Sequence, residues 1–205
     1  MKGTAVASCS LVYRAAYTCS VMGNPLFIGA IFLFAFCLRL LDASRAMAIM
    51  AALIALLFLP IAIWIQIRVR TGRYSDFDVS RREDRKTMYP MVLVLILFAT
   101  GLLFFTRQPK MLSVGMLCVS TMIVVAYLTN QWIKISLHTV FCFFFALVAI
   151  KISVAWLAPM LIFAVLVAFS RLILKRHRVV ELMAGAGLGL LTGSLLLFAL
   201  GSNPV

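Results

Sequence analysis

The sequence predicts an all-α integral membrane protein built as a bundle of six to seven transmembrane helices. Three observations support this prediction. Hydrophobic residues make up 64% of the 205 residues, whereas about 45–50% of a soluble domain is apolar. They are grouped in runs near the length that a helix needs to cross a bilayer, about 20 residues. The charged residues, only 12% of the chain, fall mainly in the short segments between these runs.

Seven apolar runs are candidate spans, because each approaches the range of about 17–25 residues that a crossing helix uses. They cover residues 25–41, 46–67, 90–106, 111–129, 136–151, 154–172 and 179–200. The fifth run is short and ends at Lys151, which predicts a tilted or partly re-entrant helix. Residues 1–23 are only mildly apolar and contain Arg14, so we expect a lead-in on the membrane surface, amphipathic or irregular in conformation. Residues 24–205 then form a single transmembrane domain.

The chain is strongly basic, with a formal net charge of +13. In a soluble protein this charge would suggest nucleic-acid binding. Here most lysines and arginines lie in short loops, where they set orientation and meet anionic lipid headgroups. We therefore predict membrane lipids, and no nucleic acid, as partners. If seven spans alternate, the N-terminus and loops 69–89, 130–135 and 173–178 share the more basic side. The positive-inside rule assigns that side to the cytoplasm, and we expect the plasma membrane of a bacterium or an archaeon.

The last apolar run contains GAGLGLLTG, in which Gly185, Gly189 and Gly193 recur every four residues. Glycines at this spacing lie on one helix face and let another helix approach closely. A nucleotide-binding loop is not indicated, because the glycines lie inside an apolar run with no strand before it. The pattern predicts close packing of this helix against a neighbour.

One short stretch, SRLILKRHRVVE at residues 170–181, places ionisable residues between two apolar runs. Such residues at membrane depth are costly and are functional candidates. His177 and Glu181 are four residues apart, so a helix places them on one face. The carboxylate can then accept a hydrogen bond from Nδ1–H and leave Nε2 as the reactive atom. Arg171 can bind a phosphate through two parallel hydrogen bonds. The stretch thus predicts a phosphate site with a histidine nucleophile.

Three segments resemble, in order, the signatures of the type 2 phosphatidic acid phosphatase superfamily. The third signature, SRxxxxxHxxxD, is matched by Ser170, Arg171, His177 and Glu181, with Glu in place of Asp. The segment KISLH at residues 134–138 is similar to the second signature, PSGH. It keeps Ser136 and His138, the only other histidine of the chain, and replaces the proline and the glycine.

The first signature, KxxxxxxRP, resembles REDRKTMYP at residues 82–90. Arg82 stands at the lysine position and Tyr89 at the arginine position. Arg85 and Lys86 are the candidates to supply the missing cation. The motif loops are therefore 69–90, 134–138 and 170–181. Two predicted spans separate each motif from the next, so all three reach the same membrane face, where we expect the active site.

The resemblance implies a hydrolase, a metal-independent lipid phosphate phosphatase without a cofactor. His177 would attack the phosphorus and form a phosphohistidine, His138 would protonate the leaving oxygen, and Glu181 would orient His177. The phosphate-binding residues would be Arg171, Ser136, Arg82, Arg85 and Lys86. Polyprenyl phosphates or diphosphates, phosphatidic acid and phosphatidylglycerophosphate are all compatible substrates, and the oligomeric state stays open.

Two other function classes remain open. A magnesium-dependent membrane transferase could use the acidic residues of loop 69–89, which are Asp76, Asp78, Glu83 and Asp84. All four lie near arginines in one loop, without a second acidic cluster, and no metal site is predicted. An inactive transporter or scaffold is the other alternative. Asp78 precedes Arg82 by four residues, which predicts a local helical pair. We expect Arg81, Lys175, Arg176 and Arg178 to contact lipid headgroups.

Overall fold

The computed structural model describes residues 2–201 and 203–204, and this part of the chain is helical without strands. Its nine α-helices are α1 (Lys2–Met22), α2 (Pro25–Leu40), α3 (Ala43–Leu53), α4 (Leu59–Arg70), α5 (Arg82–Phe105), α6 (Lys110–Thr129), α7 (Leu137–Val148), α8 (Leu157–Ile173) and α9 (Val179–Leu200). A π-helical turn, Ile54–Phe58, joins α3 to α4 in one continuous segment. A 3₁₀ turn, Ala149–Lys151, extends α7.

Five helical segments are long and apolar enough to cross a membrane, and there are six if the pair α1 and α2, bent by 50°, counts as one span. The prediction of an all-α membrane bundle is confirmed. The fifth predicted run forms only the short apolar helix Leu137–Lys151. At a rise of about 1.5 Å per residue it is roughly 22 Å long, shorter than the hydrocarbon core of about 30 Å. The start of α7 is therefore expected to lie below the membrane surface.

The N-terminal segment is a regular helix from Lys2 to Met22, so the irregular conformation allowed by the sequence is not adopted. Its position on the membrane surface stays a prediction. Asn24 ends this helix and begins the next, because its side chain accepts a hydrogen bond from the N–H of Leu26. A Cβ on Gly23 would lie 3.2 Å from Val167 Cβ, with other atoms of that side chain closer still. The end of α1 thus packs tightly against α8.

The glycine face of α9 packs against α7, as the four-residue spacing predicts. A Cβ on Gly185 would lie 3.0 Å from the carbonyl oxygen of Ser136. A Cβ on Gly189 would collide with the carbonyl oxygen of Val140, and there is no spare room at Gly193 either. This approach brings the beginnings of the two helices together, where the N–H of Ser136 donates to the carbonyl of Glu181 over 3.3 Å.

The loops that carry the three motifs meet at one end of the bundle. Arg82 Nε donates to the carbonyl of Asn130 over 2.6 Å, which joins the start of α5 to the end of α6. Lys134 Nζ donates to the carbonyl of Arg176 over 2.7 Å, which joins the second motif loop to the third. These contacts place all three loops where a single site can form.

Candidate functional site: a cluster of buried histidines and arginines

His177 and Glu181 form the centre of the cluster. His177 lies in the loop between α8 and α9, and its Nδ1 is 2.7 Å from Glu181 Oε2. The same carboxylate oxygen accepts a bond from the N–H of Arg178, at the beginning of α9. Glu181 is therefore held in place while it fixes Nδ1 as the protonated ring nitrogen. Nε2 of His177 is buried and has no hydrogen-bond partner among the described residues.

Burial is the main cause that lowers the pKa of His177, and the nearby charges of Arg85, Lys134 and Arg171 lower it further. The imidazole is thus neutral at neutral pH, with a lone pair on Nε2. This is the protonation state that a histidine nucleophile requires.

His138 occupies the first turn of α7. Ser136 begins this helix, since its Oγ accepts bonds from the N–H of Thr139 over 3.4 Å and from its hydroxyl over 3.1 Å. His138 is 4% exposed. Its Nε2 is buried without a hydrogen bond among the described residues and lies 3.7 Å from Asp78 Oδ1. A second imidazole with an available ring nitrogen therefore lies in the same polar cluster.

Arg171, at the end of α8, is completely buried. Its Nη1 donates to Ser20 Oγ over 2.6 Å and to Asp78 Oδ2 over 2.8 Å. Its Nε and Nη2 are buried without a partner among the described residues. An arginine at membrane depth is costly and is a functional candidate by default. Its two available donors, on a planar group, suit an anion with several oxygens.

Of the two candidates for the cation that the first motif lacks at Tyr89, Arg85 is the one that lies in the cluster. It is 2% exposed and donates from Nε to the carbonyl of Val79 over 2.9 Å and from Nη1 to that of Ile135 over 2.6 Å. Lys86, the other candidate, is not brought into the cluster. It forms an exposed salt bridge of 2.6 Å with Glu83. Adjacent residues lie about 100° apart around a helix, so Lys86 faces away from the cluster when Arg85 faces it.

Arg82, the remaining basic residue of the first motif, links the start of α5 to the end of α6. Its Nε is occupied by the carbonyl of Asn130. The expected role of Arg82 in phosphate binding stays a prediction.

The structure adds Asp78 to the site and corrects its expected local pairing with Arg82. The Asp78 carboxylate instead bonds to Arg171, at the end of α8, and to Arg176, in the loop after it. Both arginines come much later in the chain than Asp78. Arg176 is accordingly not a lipid-facing residue, since its side chain is only 25% exposed. Acidic residues in a basic loop indicated that ion pairs would form there. The sequence does not show which arginine pairs with Asp78, because that depends on helix packing.

Lys134 also belongs to the cluster, although the sequence comparison used only its neighbours Ser136 and His138. Its Nζ bonds to the carbonyls of Ser80 and Arg176 and lies 3.9 Å from Glu181 Oε2. Burial lowers the pKa of Lys134, and the carboxylate of Glu181 opposes this. The sequence could have indicated Lys134 as a site residue, because it is the first residue of the second motif segment, 134–138.

An elongated cavity of about 190 Å³ begins at the polar cluster and continues between α2, α4, α5, α6 and α7. Asp78, Arg85 and His138 line its polar end, and almost all other lining residues are apolar. Along α5 the lining extends from Arg85 to Ile96, a distance of roughly 16 Å at about 1.5 Å per residue. A narrow apolar cavity that ends at cations suits a hydrocarbon chain with an anionic headgroup.

The acidic residues of loop 69–89 are engaged by serines and basic residues, and Asp76 shares Arg176 with Asp78. Asp84 accepts bonds from Ser75, Asp76 from Ser80, and Glu83 pairs with Lys86. Among the described residues, no three His, Cys, Asp or Glu side chains converge as metal ligands. This dispersed arrangement does not favour the transferase alternative.

Comparison with known proteins leaves the family open. No protein-family model, no curated protein and no solved structure matches the chain. The geometry of the cluster and the resemblance of its motifs are therefore the observations that bear on function.

Proposed function

We propose that the protein is a membrane-embedded, metal-independent phosphatase that hydrolyses a phosphomonoester or diphosphate on an amphiphile through a phosphohistidine. The observation that carries the proposal is the His177–Glu181 pair, whose unpartnered Nε2 lies in one cluster with buried arginines and a second histidine. These groups supply a nucleophile, an acid and cationic stabilisation, the components that phosphoryl transfer needs.

In the first step, the Nε2 lone pair of His177 attacks the phosphorus in line with the lipid oxygen. The phosphorus–oxygen bond breaks, and protonated His138 donates a proton to the departing oxygen, which belongs to a lipid alkoxide in a monoester and to a lipid phosphate in a diphosphate. In the second step, His138 removes a proton from water, whose oxygen attacks the phosphorus. The phosphorus–nitrogen bond breaks, so that inorganic phosphate and neutral His177 result. Two displacements replace one difficult step, as is usual in covalent catalysis.

Arg171, Arg85 and Lys134 stabilise the charge on the phosphoryl oxygens during both steps. Positioned cations in a site shielded from water act strongly on such charge and need no reorganisation. Glu181 holds the ring of His177 and stabilises the imidazolium-like phosphohistidine. Ser136 positions α7 and hence His138.

The substrate class follows from the cavity and from the membrane location. An apolar cavity that leads away from the phosphate site accommodates one chain of a glycerolipid or the first isoprenoid units of a polyprenyl phosphate. We place the site on the cytoplasmic side of a bacterial or archaeal plasma membrane, because basic loops surround it. Labelling of an Arg73→Cys variant by an impermeant thiol reagent on intact cells would contradict this orientation.

The activity is tested with purified protein in mixed micelles that contain phosphatidic acid, lysophosphatidic acid or a polyprenyl phosphate. Phosphate release is expected to persist in excess EDTA and to be absent in His177→Ala. Lys175→Ala, in the same loop and exposed, is the matched control and should retain activity. Activity that EDTA abolishes and magnesium restores would reject the mechanism, and so would an active His177→Ala variant.

A further inference from the structure

The carboxylate of Asp78 lies where a substrate phosphate would bind. It bonds to Arg171 over 2.8 Å and to Arg176, and its other oxygen is 3.7 Å from His138 Nε2. All three partners are cationic or can become so. The Asp78 side chain is 18% exposed and lines the polar end of the cavity, so a headgroup that enters the cavity can contact it.

The backbone beside Asp78 is strained. Val79 has a φ of 49°, a conformation that is costly for a β-branched residue and that such a residue rarely adopts. Surrounding contacts hold it, because Val79 is 1% exposed and its carbonyl accepts from Arg85 Nε. The loop is thus held in a higher-energy conformation with its carboxylate among the arginines. Release of that strain would partly offset the loss of the Asp78 ion pairs.

We propose that Asp78 is a specificity-determining residue, an internal anion that a substrate phosphate must displace from Arg171 and Arg176. This inference rests on the proposed function, since it assigns phosphate binding to the same cluster. A soluble phosphate competes with Asp78 by charge alone. A lipid phosphate also buries a hydrocarbon chain in the adjoining cavity, and that burial supplies additional binding free energy. Asp78 therefore discriminates against soluble phosphates through repulsion and competition.

The test measures binding of inorganic phosphate to the full-length protein, together with hydrolysis of p-nitrophenyl phosphate and lysophosphatidic acid. In Asp78→Asn, phosphate should bind more tightly by roughly 10- to 100-fold, because a unit negative charge next to the anion site is removed. The preference in kcat/KM for the lipid over the soluble substrate should fall by a similar factor. Glu83→Gln removes one negative charge from an exposed side chain of the same loop and should alter either quantity less than threefold.

Folding is followed by thermal unfolding in detergent, and Asp78→Ser provides a second neutral variant. If neutralisation weakens packing, phosphate should raise the unfolding temperature of both Asp78 variants more than that of the wild type. Unchanged or weaker phosphate binding in both variants would overturn the proposal, as would equal effects of Glu83→Gln. Unfolded variants that phosphate fails to rescue would show Asp78 to be only a structural counter-ion. Phosphate binding needs no turnover, so this result is independent of whether wild-type protein hydrolyses lipids.

Discussion

The packing of α9 against α7 gives a sharp test, because one methyl group should disturb the site from a distance. Gly189 lies two helical turns beyond Glu181, and in Gly189→Ala the new Cβ would be 3.0 Å from Phe144 N and closer to the carbonyl of Val140. Non-bonded carbon atoms are most stable about 3.5–4.0 Å from their neighbours. Since the contact with the carbonyl oxygen of Val140 would be only 2.3 Å, the two helices must separate by about 1 Å at this point.

This separation acts on the geometry of the proposed site, because Glu181 lies in the first turn of α9 and His138 in the first turn of α7. A displacement on the order of 1 Å can reduce the rate about 100-fold when reacting groups must align. Overpacking of a close contact also costs roughly 1–3 kcal/mol of folding free energy. We expect Gly189→Ala to lose about 100-fold in kcat and to unfold at a lower temperature.

Gly187→Ala is the matched control, because it makes the same change two residues away, where a Cβ meets no atom within 4 Å. It should retain activity and gain up to about 1 kcal/mol, since alanine favours a helix more than glycine does. Phosphate release and thermal unfolding in detergent are measured for both variants. Equal activity and equal stability of the two would refute the argument that this helix contact sets the site.

Three further predictions address the cluster and the cavity. Arg85→Gln should reduce kcat by about 10²–10³-fold, as loss of a charge-stabilising donor does. Lys86→Gln should keep a kcat near that of the wild type. If a phosphate-release assay gives the reverse order, Lys86 is the first-motif cation. Gly115→Leu adds a side chain in the cavity, where a Cβ meets nothing within 4 Å, and should lower kcat/KM for long-chain substrates by about 10–200-fold. Gly101→Leu, outside the cavity, should leave this kcat/KM unchanged. Equal losses in the two variants would exclude the cavity as the binding site of the hydrocarbon chain. Because the pKa of His177 is lowered, its neutral form persists as the pH falls below 6.5; an NMR titration midpoint at or above 6.5 for its ring nitrogens would contradict this.

Local spacing determined much of what the sequence predicts about this protein. Apolar runs of spanning length predicted the all-α membrane bundle, and glycines four residues apart predicted the α7–α9 contact. The shared helix face predicted for His177 and Glu181 does not form, because His177 lies in the loop before α9, although their hydrogen bond is present. The apolar runs and the glycine spacing predicted their elements correctly. Such features depend on the periodicity of a single helix, so they are readable before any tertiary contact is known.

The tertiary structure alone decided which charges face the site. Arg85 and Lys86 are neighbours in sequence, yet one is buried in the cluster and the other lies on an exposed face. Asp78 bonds across the bundle to Arg171 and Arg176 in place of its near neighbour Arg82. The physical reason is that a buried charge must find a partner among whichever helices pack around it. That choice depends on helix rotation and approach, which no local spacing encodes.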